Sequence, residues 1–170
     1  MISDKFFKDF LKNTSRKETE IVFKFFVTFS RFECALKSTI RFAYNYKNKA
    51  HSDWDSFTNS IEDSFNPEKD EKLDKATKFI LENPPKIQVL EDDELKWVKR
   101  KFNSNDSDIH KLNLHIRDVR NNLFHGGKFK GGCQKDAARN FELIESSLII
   151  LNEWLKLDKD VKRNFLAKIT

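Results

Sequence analysis

Apolar residues return every three or four positions along almost the whole chain, the spacing of one face of an α-helix at 3.6 residues per turn. A short amphipathic helix is predicted from about Asp4 to Leu11. Ser15 followed by Glu18 is a capping-box pattern, in which each side chain satisfies the other residue's backbone N–H. It opens a long helix that carries Phe25, Phe29, Phe32 and Leu36 and runs to about Tyr46. Ser52 and Asp55 repeat the signal for a shorter helix to about Phe65. Asn66-Pro67 supplies an N-cap and a first-turn proline for a helix that runs to about Glu82, where Pro84-Pro85 stops it. Lys86 to Leu90 reads as a loop or a brief extended segment. Asp92-Asp93-Glu94 then reads as the acidic first turn of a helix bearing Trp97.

Ile109, Leu112, Ile116, Val119 and Leu123 form the inner stripe of a helix over about residues 107 to 125. Gly126 to Gly132 follows as a basic loop. Phe141, Ile144, Leu148, Leu151 and Leu155 mark a last long helix expected to pack along the previous one, and a small helix from about Val161 to Ile169 closes the chain. With only four Gly and three Pro in 170 residues and no internal repeat, the pattern predicts a single all-α domain over residues 1–170, a bundle of about five to seven helices.

Seventeen Phe invite the thought of base-stacking platforms, but Phe at core spacing is far commoner as filler, and Trp54 and Trp97 are most simply packing anchors. Ile21 to Phe32 is interrupted by Lys24 and Arg31, so it reads as a buried helix. No stretch reaches the roughly 18 uninterrupted apolar residues of a membrane span. Cys34 and Cys133 lie far apart without C-x-x-C spacing, and Met1 is not followed by a signal-like apolar run, which together predict a reduced, cytoplasmic setting. No tight cluster of His, Cys, Asp and Glu has metal-ligand spacing, so neither a metal nor a cofactor is expected.

The net charge of +5 is unevenly placed. From Lys96 to Lys130 there are nine Lys and Arg against three Asp, a local excess of +6 that leaves the remainder near −1. A positive rim of that kind steers a polyanion and gives salt-sensitive binding. For any single lysine in it, a solvated helix face is the simpler role.

At the centre of this basic stretch stands Arg120-Asn121-Asn122-Leu123-Phe124-His125, followed by Gly126-Gly127. The order resembles the R-x4-H signature of HEPN (higher eukaryote and prokaryote nucleotide-binding) domains, small helical bundles many of which are metal-independent ribonucleases, and the polar Asn121 after the arginine fits that family's habit. Arg31-Phe-Glu-Cys-Ala-Leu-Lys37 is similar to the first-helix pattern of prokaryotic relatives, and Asp53-Trp54-Asp55-Ser56-Phe57 to a tryptophan-bearing segment that often follows it. The Arg139-Asn140-Phe141 start of the last long helix fits too, so the resemblance spans roughly residues 20 to 157.

The resemblance implies an endoribonuclease whose site forms where two protomers pair, with RNA as substrate, and an antitoxin or other defence protein as partner in toxin–antitoxin or anti-phage systems. Arg120, His125 and Asn121 are its implied catalytic residues. The chemistry suits them. The ribose 2′-OH can attack its own phosphate if one group takes its proton, another protonates the leaving 5′ oxygen and a cation holds the phosphorane. Histidine titrates near neutrality and arginine matches phosphate oxygens in pairs.

About 100° per residue sets Arg120 at the edge of the inner stripe and His125 roughly 140° further round, with Arg117, Asn121 and Phe124 between. That outer face looks like an interface. Arg117, Lys128 and Lys130 are candidate RNA contacts, and Glu33 a supporting polar group that pairs equally well with Lys37. His110 and His115 are expected at the surface, and His51 at the start of a loop.

Two readings stay open beside the enzyme. Arg120 and His125 equally suit an ion pair and a helix C-terminal dipole partner, with Gly126 as the left-handed cap. The same face also suits a non-catalytic helical module for dimerisation or for docking RNA or protein. The resemblance departs at one point. Toxins paired with minimal nucleotidyltransferases commonly carry, two residues after the His, a Tyr that receives AMP, and this chain has Gly127 there.

Overall fold

The capping box at Ser15 is formed as the sequence predicts: the Ser15 N–H donates to Glu18, and the Glu18 N–H to the Ser15 hydroxyl. In the computed structural model, which describes residues 2–12, 14–124 and 137–168, it starts the longest of the described helices. Seven α-helices are described: α1 (Ile2–Lys12), α2 (Arg16–Lys37), α3 (Trp54–Ile61), α4 (Glu71–Glu82), α5 (Asp108–Phe124), α6 (Ala137–Leu157) and α7 (Lys159–Leu166). Two antiparallel hairpins, β1 (Ala43–Tyr46) with β2 (Lys49–Ser52) and β3 (Lys86–Glu91) with β4 (Glu94–Lys99), make the fold mostly helical but not all-α.

One strand of each hairpin, β1 and β4, lies where helix was predicted, whereas β3 falls on Lys86 to Leu90, read as a loop or a brief extended segment. Helix α2 stops at Lys37 instead of near Tyr46. The Ser38 and Thr39 hydroxyls bond back to the Cys34 and Ala35 carbonyls, and the chain turns through Ile40–Phe42 into β1. Tyr44 and Tyr46 then take strand alternation. Similarly, Asp92-Asp93 does not start a helix but forms the two-residue turn between β3 and β4, and Trp97 lies on a strand. The turns Lys47-Asn48 and Asp92-Asp93 both have positive φ at each residue, the mirror-image geometry that matches strand twist. Asparagine and aspartate tolerate that region better than most residues.

Smaller boundaries shift for capping reasons. Asp53, not Ser52, caps α3 by accepting from the Ser56 N–H, and α3 ends at Ile61. Asn66-Pro67 starts only a short 3-10 turn, after which Asp70 caps α4. Arg139 at the start of α6 donates to the Asn83 and Pro84 carbonyls, closing the end of α4.

Helix α6 is the hub. Leu143, Ile144, Leu148, Ile150, Leu151, Trp154 and Leu155 are all buried, so it is covered around most of its circumference. It packs chiefly on α4 and α2 and meets α5 over a shorter stretch, against the expectation that it would lie along α5. Phe25, Phe29, Phe32 and Leu36 of α2 are buried as their spacing predicts, whereas Phe23, Phe26 and Val27 on the other side of the same helix are exposed. Trp54 is the anchor it was expected to be, with Phe29 and Phe32 stacked on it at centroid distances of 5.2 and 5.0 Å.

Charged groups tie the periphery to this core. The buried Glu153 carboxylate of α6 holds Lys69 and Lys156; burial pushes it up, but these hydrogen bonds outweigh that and leave it below the usual range. Arg41 bridges Asp158 and Asp160 at 2.6 and 2.7 Å. Arg31 of α2 reaches across to the Asn164, Phe165 and Ala167 carbonyls at the end of α7.

Candidate functional site

Helix α5 presents two different polar sides. Its inner stripe is as predicted, with Ile109, Leu112, Ile116 and Val119 buried and Leu123 partly so. On one flank lie Asn113, Arg117, Arg120 and Asn121, at intervals of four, three and one, which keeps them on one side of the helix. The flank packs against α3, and its Arg120 reaches Phe29 of α2. One Asp55 oxygen of α3 accepts from the Asn113 amide at 2.7 Å and lies 3.9 Å from Arg117. Both members of the Arg117–Asp55 pair are substantially exposed, so the pair holds Arg117 by about 1 kcal/mol or less, and the guanidinium can be drawn to a stronger anion.

Arg120 is half-buried. Its guanidinium carbon lies 5.7 Å from the Phe29 ring centroid of α2, and Nη1 donates to the Asn121 side-chain oxygen at 3.0 Å. A planar cation braced on a ring and by a carboxamide keeps its fork in one orientation, which suits paired phosphate oxygens. Glu33 follows Phe29 by one turn on the same side of α2 and is half-buried. The structure thus brings together Arg117, Arg120 and Asn121 from α5, with Glu33 on the helix that supports them. His125, Lys128 and Lys130 lie outside the described residues.

Sequence reasoning missed Asp55 and Phe29 as supports of the arginines. A partial signal existed for Asn113, since it precedes Arg117 by one helical turn.

The other flank of α5 is structural. Arg100, after β4, forms a two-pronged ion pair with the buried Asp118 at 2.8 and 2.6 Å, and this raises the guanidinium's proton affinity further. Arg100 therefore anchors the hairpin to α5 and does not belong to a free basic rim. His115 corrects a second expectation. It is 3 % exposed, not a surface histidine, packs edge-on to Phe102 at 5.0 Å, and its Nδ1 has no hydrogen-bond partner among the described residues.

Burial pushes the His115 imidazole down to about 4, with Asp118 opposing and Arg100 and Lys111 reinforcing the drop. An unfolded imidazole titrates near 6.5, so the unfolded chain binds more protons between about pH 6.5 and 4. The histidine's contribution is complete above that window and is lost as pH falls through it, by about 2 kcal/mol between pH 6.5 and 5. Urea midpoints across that range should fall for the wild type and stay nearly level for His115→Phe; equal slopes would remove His115 as the cause.

Among the described residues no three His, Cys, Asp or Glu side chains converge as metal ligands, and no helix is long and apolar enough to cross a membrane. No family model matches the chain, and no curated protein or solved structure matches it either.

Proposed function

We propose that the chain is a metal-independent endoribonuclease of the HEPN type, cutting RNA by 2′-OH transesterification in a site built by two copies. The observation that carries the reading is the alignment of Arg117, Arg120 and Asn121 along one side of α5, where Arg120, five residues before His125, has its fork braced by Phe29 and Asn121. In the reaction a base removes the 2′ proton, the O2′–P bond forms, the P–O5′ bond breaks and an acid returns a proton to O5′. The products are a 2′,3′-cyclic phosphate and a 5′-hydroxyl. His125 from each copy supplies base and acid, and Arg120 holds the charge gathering on the phosphorane. Arg117, Lys128 and Lys130 bind flanking phosphates, with Glu33 in support. The defence setting, with an antitoxin or similar protein as partner, rests on the motif resemblance.

Incubating the purified protein with total RNA in EDTA tests this. Cleavage that ends in 2′,3′-cyclic phosphates supports the reading, and intact RNA overturns it. One observation favours a second reading, a non-catalytic docking module: Phe23, Phe26 and Val27 expose an apolar side of α2. Under that reading there is no cleavage to lose, and removing those side chains abolishes partner binding instead.

A further inference from the structure

The first hairpin collects aromatic rings where the core does not need them. Tyr44 and Tyr46 are two positions apart on β1 and so point to one face, and register places His51 opposite Tyr44 and Lys49 opposite Tyr46 on that same face. These are the chain's only two tyrosines, 49 % and 55 % exposed, whereas the central core uses Phe and Trp. Tyr44 stacks on His51 at 5.4 Å, Tyr46 meets the same imidazole edge-on at 5.9 Å, and Lys47 lies 5.3 Å from the Tyr46 ring centroid. The result is an ordered, solvent-facing row of flat rings with lysine ammonium groups beside it.

The stretch of chain that carries this row has charge of one sign. Between residues 34 and 52 there are four Lys and Arg and no Asp or Glu. Arg41 is engaged by Asp158 and Asp160, which leaves Lys47 and Lys49 as the cations of the hairpin itself. Rings interleaved with lysines are what an unpaired nucleic-acid strand requires: π-faces for bases and cations for the phosphates between them. A purely apolar partner would gain nothing from the cations.

The platform is also near the arginines. His51 precedes Asp55, which contacts Arg117, by four residues, so at most about 14 Å of chain separates them.

We infer that the face formed by Tyr44, Tyr46, His51 and Lys49 is a stacking platform for unpaired bases of single-stranded RNA. The choice of RNA rests on the ribonuclease proposed above; the stacking itself does not. It makes unstructured strands or loops the preferred substrate and holds them a short distance from the scissile phosphate.

Binding of a fluorescent 2′-O-methyl oligouridine, followed by anisotropy, tests the platform apart from catalysis, because that strand lacks the attacking hydroxyl. Tyr44→Ala and Tyr46→Ala should each weaken binding by about tenfold or more, and Tyr44→Phe by no more than about twofold. A blunt duplex should compete poorly. Circular dichroism of each variant verifies that the hairpin's loss of affinity is not loss of fold. Wild-type affinity in the Tyr44→Ala/Tyr46→Ala double variant overturns the inference, as does absence of oligonucleotide binding with a change in self-association on sedimentation, which would assign the face to a protein. Tyrosine-dependent binding without any RNA cleavage would keep the platform and remove the nuclease. Cleavage and binding indifferent to the tyrosines would do the reverse.

Discussion

Alanine at His125 or at Arg120 should lower RNA cleavage by about a hundredfold to ten-thousandfold, the range for loss of a proton-transfer group or of a donor to developing charge. The fold should survive the Arg120 change. Arg120 is half-buried, and its cation–π contact with Phe29 is worth about 0.5–1 kcal/mol, a small part of the stability of a domain this size. Arg120→Lys keeps the charge but not the fork, so it should recover only part of the rate. Single-turnover cleavage of total RNA in EDTA, with oligomeric state verified by sedimentation, provides the measurement. Unchanged rates in both alanine variants would sink the catalytic assignment. Wild-type and variant copies mixed in one sample add a second readout, because a site shared across a dimer should yield hybrids of intermediate activity.

Trp154→Ala should destabilise the protein by about 3–5 kcal/mol, among the largest costs expected of any single substitution here. Trp154 is fully buried on α6, with Phe57 and Phe65 edge-on to its ring at 6.3 and 6.2 Å. Because α4 and α2 both rest on α6, neighbouring helices cannot collapse into the space without losing contacts of their own. Trp154→Phe should behave differently. It leaves a smaller gap and also removes an indole N–H that is buried without a hydrogen-bond partner, a group whose desolvation costs about 1–3 kcal/mol. The two effects oppose each other, so the net change should stay within about 2 kcal/mol. Chemical denaturation of the two variants decides the matter; equal large losses would show that the unsatisfied N–H carries no cost.

The helices were legible wherever local chemistry and burial agree. Ser15 and Glu18 announce α2, and the stripe from Ile109 to Leu123 gives the start of α5 to within about one residue. The hairpins were legible only in part: an extended segment was one of two readings for Lys86 to Leu90, where β3 lies, but turns that lack glycine hid the pairing. Lys47-Asn48 resembles ordinary helix-surface sequence, and Asp92-Asp93-Glu94 carries the acidic bias of a helix start. Strand pairing, which no local signal records, overrides that bias. At the site the arginines and Asn121 were visible as a helical face, whereas the role of Asp55 depends on a contact with Asn113 that spans 58 residues. His115 was misjudged for the same reason: what covers it is Phe102, placed there by the second hairpin. With Tyr44 and Tyr46 assigned to a helix, their common face with His51 could not be seen.

The grip of Arg31 on the end of α7 alters how that helix end should breathe. Helix ends ordinarily fray, and their amides exchange with solvent through local opening at little free-energy cost. Here, opening the last turn of α7 strips a guanidinium of three carbonyl partners and draws Phe165 away from Phe32, so fraying is coupled to the body of the bundle. Deuterium uptake in α7 should therefore track the slow amides of α2, and Arg31→Ala should release α7 alone to rapid exchange.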